Sequence, residues 1–562
     1  MNRTIINYIF SFISISLIFN NIPKIIQMNF IAGILQDKLV FYPLFIGLVY
    51  TIYCQYKYKN VLVKFDKFVK FIFAYLAITL ISLIIGLYNY PYYDLVINGP
   101  VTQIEKLPKV MAVLDSLGIN VDQEAVMAFW MIARVVKGLL FEIIYTFGGA
   151  YMIYCWYHDD WKIAFKILLK AILLSLIIVF AYSFIEIFYL AGNITAKDIL
   201  IKITPYFHEI NNPGSSRGDW PPVLWYSPRL RSIFAEPSYF AIFAGFSVPF
   251  IWYCINVKTQ KILYSVLLCF MAFFIFLTQA RTATALLFGE IILLLLLSIY
   301  FRNKLIVRTL ICVLLSTGIA FISANYFINN FMKDVPKYYK QSSVALTNTQ
   351  NKSNYGKELK SNVKDKKINK IQKSQNLINQ KQNSKNLKLN NKIGNYLDKN
   401  FYSIFSANKR SNSARFAYIK SAFRVGLDYP ILGVGKGLTA AYMTDYFTDD
   451  EKKVGEVKRR IQRQKDVGIL TAGMPILCEY VKRFAESGLA GVIIYFMPLI
   501  YLICSTFRKI KTLQPEYLFY GVSLIGILAS GFSLGFTGTY YYWVLLGLGY
   551  AMCFCKDDEE KF

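Results

Sequence analysis

The chain has 562 residues, 55% of them hydrophobic and 17% aromatic, with a mean hydropathy of +0.39. That apolar share excludes a water-soluble globule of this length and indicates a membrane protein. A formal net charge of +28 ordinarily raises nucleic acid as a partner, but most of the excess sits in short basic loops and one low-complexity tract, so none is expected.

Twelve apolar stretches recur, near 5–22, 39–54, 69–87, 138–156, 167–190, 233–255, 262–277, 283–301, 305–328, 488–504, 517–536 and 541–555. Each can cross, or nearly cross, a hydrocarbon core of about 30 Å as a helix. The first has Arg3 ahead of it and no small-residue cleavage site behind it, which predicts an uncleaved signal anchor and a mature chain beginning near Met1. The connections after the even-numbered stretches, such as QYKYKNVLVKFDKFVK, WYHDDWKIAFK and STFRKIKT, are all rich in Lys or Arg. Those loops are therefore expected to be cytoplasmic, with both termini inside.

The expected fold is an all-α polytopic membrane protein of about twelve transmembrane helices, with a large external loop between the ninth and tenth. Residues 1–328 hold the first nine helices and external loops at 88–137 and 191–232; 329–487 form the large loop; 488–562 hold the last three helices and a cytoplasmic tail. Within the large loop a Lys/Asn-rich part, about 340–400, reads as disordered. Its charge does not conflict with an external position, because long loops translocate largely regardless of charge. Over about 412–427, Phe416, Ile419, Ala422 and Phe423 recur at helical spacing before Asp428-Tyr429-Pro430, which predicts an amphipathic helix on the membrane surface. Gly433, Gly435 and Gly437 follow; outside a strand-to-helix context this GxGxG is a weak phosphate-loop signal and reads first as a loop. Of nine cysteines only Cys478 falls in an external segment, so neither a disulfide framework nor a metal site is expected.

The mass outside the membrane is external, where there is no ATP, so energy must come with the substrate or from a gradient. In RLRSIFAEPSYFAIF, Arg229 and Arg231 stand at the threshold of the sixth stretch and Glu236 lies inside it. An interfacial arginine commonly snorkels to headgroups, whereas a carboxyl within an apolar run is costly and usually faces a partner or a wet cavity. TQARTATALL puts Arg281 in a short hairpin where the eighth helix starts, and helix N-terminal amides with a guanidinium suit an anion. Arg415 opens the amphipathic helix, Arg424 lies further along it, and Arg134 with Lys137 precedes the fourth stretch. Cations from several external elements at one membrane depth suit a bulky, multiply charged anion, and a pyrophosphate fits. Each charge-assisted contact contributes about 1.5–3 kcal/mol net. His208 lies in PYFHEINNPGSSRGDWPPVLWY, whose aromatic and amide side chains suit either sugar binding or an interfacial aromatic belt.

In order, RSIFAEPSYFA, ARTA, SARFAYIKSAFRVGLDYPILGVGKG and FAESGLAGV, with the largest external loop spanning the third and fourth, resemble the O-antigen polymerase and O-antigen ligase superfamily. The resemblance covers most of the chain from the sixth stretch onward. It implies a GT-C-like, inverting, metal-independent glycosyltransferase without a cofactor at the outer face of the bacterial inner membrane, in O-antigen or capsule-like polysaccharide biosynthesis. The implied substrate is an oligosaccharide on undecaprenyl pyrophosphate, with a chain-length regulator as a further partner. In that scheme Arg229, Arg231, Arg281 and Arg415 look like the family's arginines, binding pyrophosphate and stabilising the charge that develops as it leaves. Glu236 is the first candidate to take the proton from the attacking hydroxyl and Glu486 the second, unless each simply pairs with an arginine. Arg134, Arg424, Glu486 and His208 complete the substrate-binding candidates. Ligases of the superfamily typically carry a histidine shortly before the last glutamate; GMPILCEYVKRFAESG has none, which favours a polymerase. A flippase or transporter should show paired halves with interrupted helices, and no such repeat is visible. A glycoside hydrolase needs two convergent carboxylates, whereas arginines predominate in these motifs.

Overall fold

A computed structural model describes residues 1–28, 37–99, 107–209, 221–225, 227–332, 410–535 and 540–555. A helix lies at each of the twelve apolar stretches. The first three are α1 (Arg3–Ser16), α2 (Phe41–Tyr58) and α3 (Phe65–Tyr88). The fourth is α4 (Gln123–Glu142), which runs through a π-helical turn, Ile143–Gly148, into α5 (Gly149–Tyr157). There follow α6 (Trp161–Leu190), α7 (Ile194–Phe207), α8 (Pro237–Val257), α9 (Lys261–Leu277), α10 (Arg281–Phe301) and α11 (Lys304–Asn330). The large insert contributes α12 (Arg410–Asp428) and α13 (Gly455–Val467), and α14 (Glu479–Ile510), α15 (Pro515–Ser530) and α16 (Tyr541–Cys553) complete the chain. Among the described residues six helices, α3, α6, α8, α10, α11 and α14, are long and apolar enough to cross a membrane by length and composition; α9 and α16 are shorter apolar helices. The Lys/Asn-rich part at about 340–400 lies outside the described residues.

Burial follows the pattern of apolar faces. The apolar window of α8 is 94% buried and that of α3 only 22%. PSYFAIFAGFSVPFIWYCINV is apolar all round and has no solvent face to offer, so α8 becomes the centre, packed by α9, α10, α11 and α15. A proline at its first position fits there, because the missing N–H would have no helical partner.

Two turns at the N-terminal ends of α8 and α10 are locked to each other. The Leu230 amide donates to the Leu277 carbonyl at 3.1 Å, and the Gln279 side-chain amide donates to the Pro228 carbonyl at 3.0 Å. From α6, the Glu186 carboxylate accepts the backbone N–H of Arg231 at 3.2 Å and of Ser232 at 2.7 Å. The segment that carries Arg229 is thereby fixed against the start of α10.

The insert is clasped onto α14. The amides of Val434 and Gly435 donate to the carbonyls of Ala485 and Glu486, each at 3.0 Å, and Leu489 N–H returns a bond to Pro430 at 2.8 Å. Gly488 makes this possible: with φ +60° and ψ −164° it breaks the helical path inside α14, and a β-carbon there would lie 2.3 Å from Ile431 backbone atoms. The GxGxG loop is thus a backbone clasp.

Candidate functional site

A cavity of about 780 Å³ opens where these segments meet. Arg229 and Glu236 reach it from the turn before α8, Arg281 from the first residue of α10, and Arg415 from the first turns of α12. Phe416 and Ile419 of α12, with Gly526 and Ala529 of α15, form much of the apolar wall. Arg281 experiences like-charge repulsion from both Arg229 and Arg415, so the three cations sit close enough to oppose one another. A polyanion in the cavity would relieve that repulsion. Among the described residues Arg229 and Arg415 make no ion pair with a carboxylate.

Glu236 is the N-cap residue of α8, half-buried, and its side chain caps none of the helix amides. Its Oε1 accepts a hydrogen bond from Ser238 Oγ, and no arginine pairs with it among the described residues. It therefore faces the cavity with acceptor capacity to spare. At the far end of the cavity is Glu290, nine residues along α10 from Arg281 and so about 14 Å deeper. Glu290 is 3% exposed, and neither carboxyl oxygen has a hydrogen-bond partner among the described residues. It is wedged between helices: a β-carbon on Gly526 would lie 2.2 Å from Glu290 Oε1.

Arg231 does not reach the cavity. It is 1% exposed, donates through Nη2 to Val223 O at 2.7 Å and through Nη1 to Ala235 O at 3.3 Å, and stands 5.9 Å from the centre of the Trp225 ring. Those contacts support the loop on which Arg229 is carried and the Trp225 ring that lines the cavity. His208, at the end of α7, is also buried, and neither ring nitrogen makes a hydrogen bond among the described residues. Burial first, and then the Arg231 charge, lower its pKa to about 3, against an opposing effect of the Asn20 backbone. It is a neutral, enclosed imidazole away from the cavity lining.

Three other candidates also lie elsewhere. Arg134 is exposed and stands over the Trp130 ring at 5.7 Å. Arg424 pairs with Glu451, Nη1 to Oε2 at 2.7 Å and Nη2 to Oε1 at 3.1 Å. Glu486 is buried under the glycine clasp, where its Oε1 accepts from Gly437 N at 3.3 Å.

Beside that clasp is a charge network that sequence reasoning did not single out. Arg483 of α14 donates to Glu479 Oε1 at 2.7 Å, to Tyr75 Oη at 3.0 Å and to Glu142 Oε1, and stands 4.0 Å from the centre of the Tyr495 ring. Lys436 of the glycine loop reaches the other oxygen of Glu142. The network joins α3, α4, α14 and the insert. One signal could have found its acidic member: Glu142, Glu186 and Glu290 are each a solitary carboxyl inside an apolar stretch, the circumstance that made Glu236 conspicuous. Among the described residues no group of three or more His, Cys, Asp or Glu is placed to hold a metal ion.

Comparison with curated proteins found no match, and comparison with solved structures found none. Residues 266–461, which begin in α9 and take in Arg281, Arg415 and α12, match the family model described as O-antigen ligase (Wzy_C). That match supports the O-antigen ligase and polymerase superfamily for this chain, and with it a glycan-transferring function of the ligase or polymerase type.

Proposed function

We propose that the protein is a membrane glycosyltransferase that polymerises oligosaccharide repeat units carried on undecaprenyl pyrophosphate at the outer face of the inner membrane. The observation that supports this reading is the lining of one cavity by Arg229, Arg281 and Arg415, which come from three separate segments. In this scheme the three guanidiniums hold the pyrophosphate of the lipid-linked donor. An acceptor hydroxyl attacks the anomeric carbon from the face opposite the pyrophosphate. The new carbon–oxygen bond forms as the bond to the pyrophosphate oxygen breaks, so the configuration inverts.

The electron pair leaves with the lipid pyrophosphate, whose added negative charge the arginines stabilise. The hydroxyl proton passes to the free acceptor side of the Glu236 carboxyl. Phe416 and Ile419 cover the reacting groups on the insert side. Arg231 is a positioning residue that holds the Arg229 loop.

The absence of a histidine from 474–485 favours polymerisation, and the description of the matching family favours a second reading, ligation of the glycan to another acceptor. Alanine variants of Arg229, Arg281 and Arg415, read by surface glycan chain length, separate the possibilities. Loss of long chains with single repeat units retained supports polymerisation. Loss of all attachment supports ligation, and build-up of lipid-linked repeats on the inner face contradicts both.

A further inference from the structure

A second cavity, of about 400 Å³, lies between α3, α5, α14 and α16. It is remote from the arginine cavity. The Glu479 amide at the start of α14 donates to Gly531 O, beside Ala529 and Phe532 of the arginine cavity, whereas Met497 and Tyr501 border this groove, about 27 Å or more further along the same helix.

Its wall is largely aromatic and apolar. Phe68 stacks on Tyr151 at 4.2 Å, and Tyr501 stacks on Phe554 at 5.0 Å. Of the four tyrosine hydroxyls along it, two are turned to the backbone: Tyr151 donates to Val63 O and Tyr550 to Pro498 O, each at 2.9 Å. Such a wall suits a hydrocarbon chain. At the mouth the character reverses. Lys64 and Lys67, both exposed, line it. Asp66 in the same turn acts on Tyr151, and the two lysines outnumber it. The groove therefore offers an apolar trough under a positively charged lip at the end of a membrane helix.

We propose that this groove is a binding site for an anionic glycerophospholipid of the leaflet opposite the arginine cavity, with Lys64 and Lys67 on the headgroup phosphate and one acyl chain along the aromatic wall. The charge at the lip selects the headgroup, and the wall selects a lipid over a free phosphate. The site is independent of the transfer chemistry.

The test uses the full-length protein in detergent, delipidated and titrated with phosphatidylglycerol and with phosphatidylcholine of matched chains, with bound lipid read by native mass spectrometry. The native protein is expected to retain phosphatidylglycerol about tenfold more tightly. K64Q/K67Q is expected to bring the ratio close to one with an unchanged melting temperature, and K64R/K67R to keep it. Glycerol phosphate should not compete. Equal retention of the two lipids by the native protein overturns the proposal without recourse to any variant. So does an undiminished preference in K64Q/K67Q, or competition by glycerol phosphate.

Discussion

Arg281 and Arg415 lie on opposite sides of the Lys/Asn-rich tract in sequence and line the same cavity in space. Their convergence requires that α12 return to the start of α10. The clasp of the glycine loop on α14 and the packing of Gly426 against Phe484 hold it there.

Replacing Arg229, Arg281 or Arg415 singly by alanine is expected to weaken pyrophosphate binding by roughly ten- to a hundredfold, the equivalent of one charge-assisted contact. Lysine should restore part of the loss, because it supplies charge without the paired geometry. Arg231→Ala should behave differently, lowering thermal stability by about 2–4 kcal/mol through loss of a buried cation and its bonds to Val223 and Ala235. Binding of a polyprenyl pyrophosphate alongside thermal melts distinguishes the two classes.

Glu236→Gln keeps the size and removes the basicity. Turnover of a defined lipid-linked repeat should fall by about 10²- to 10⁴-fold while donor binding is retained. A variant that loses binding and turnover together would assign Glu236 to support of the arginines instead.

The network around Glu142 should show the asymmetry of buried ion pairs. Glu142→Gln leaves Arg483 and Lys436 facing a neutral amide and is expected to cost about 3–5 kcal/mol. A double variant, Glu142→Leu with Arg483→Leu, should recover little of that, because buried Glu479 then loses Arg483 and Lys436 still lacks Glu142. Chemical denaturation in detergent measures both.

Acid should destabilise the fold partly through His208. Its folded pKa of about 3 lies below the ordinary value of about 6.5, so the unfolded chain takes up the proton first. The His208 contribution to folding is therefore intact above about pH 7 and is lost progressively as pH falls from there toward 3. His208→Phe, which cannot be protonated, should flatten that part of the stability profile measured by thermal melts across pH. An unchanged slope would place the acid sensitivity elsewhere.

The helices were legible because bilayer thickness imposes a length and an apolar composition that can be counted. The break at Gly488 was also visible, as the start of an apolar stretch, although α14 extends back to Glu479 through a kink no hydropathy pattern reveals. Arg229, Arg281 and Arg415 stood out because each is charged at the edge of an apolar run. The same rule also selected Arg231, and it cannot tell an arginine that faces the cavity from one turned inward two residues later, because that depends on the Glu186 carboxylate of another helix. Arg483 and Glu142 are 341 residues apart, and no local spacing announces that they meet. Glu290 was readable by the argument applied to Glu236, but a carboxyl mid-stretch carries no neighbouring motif to draw notice.

The most direct test is a cryo-electron microscopy map of the full-length protein with a polyprenyl pyrophosphate bound. The account predicts two phosphate densities in the 780 Å³ cavity, in contact with the guanidiniums of Arg229, Arg281 and Arg415 and with Glu236 beside the reacting end. Phosphate density elsewhere, with that cavity empty or filled by acyl chain alone, would contradict it.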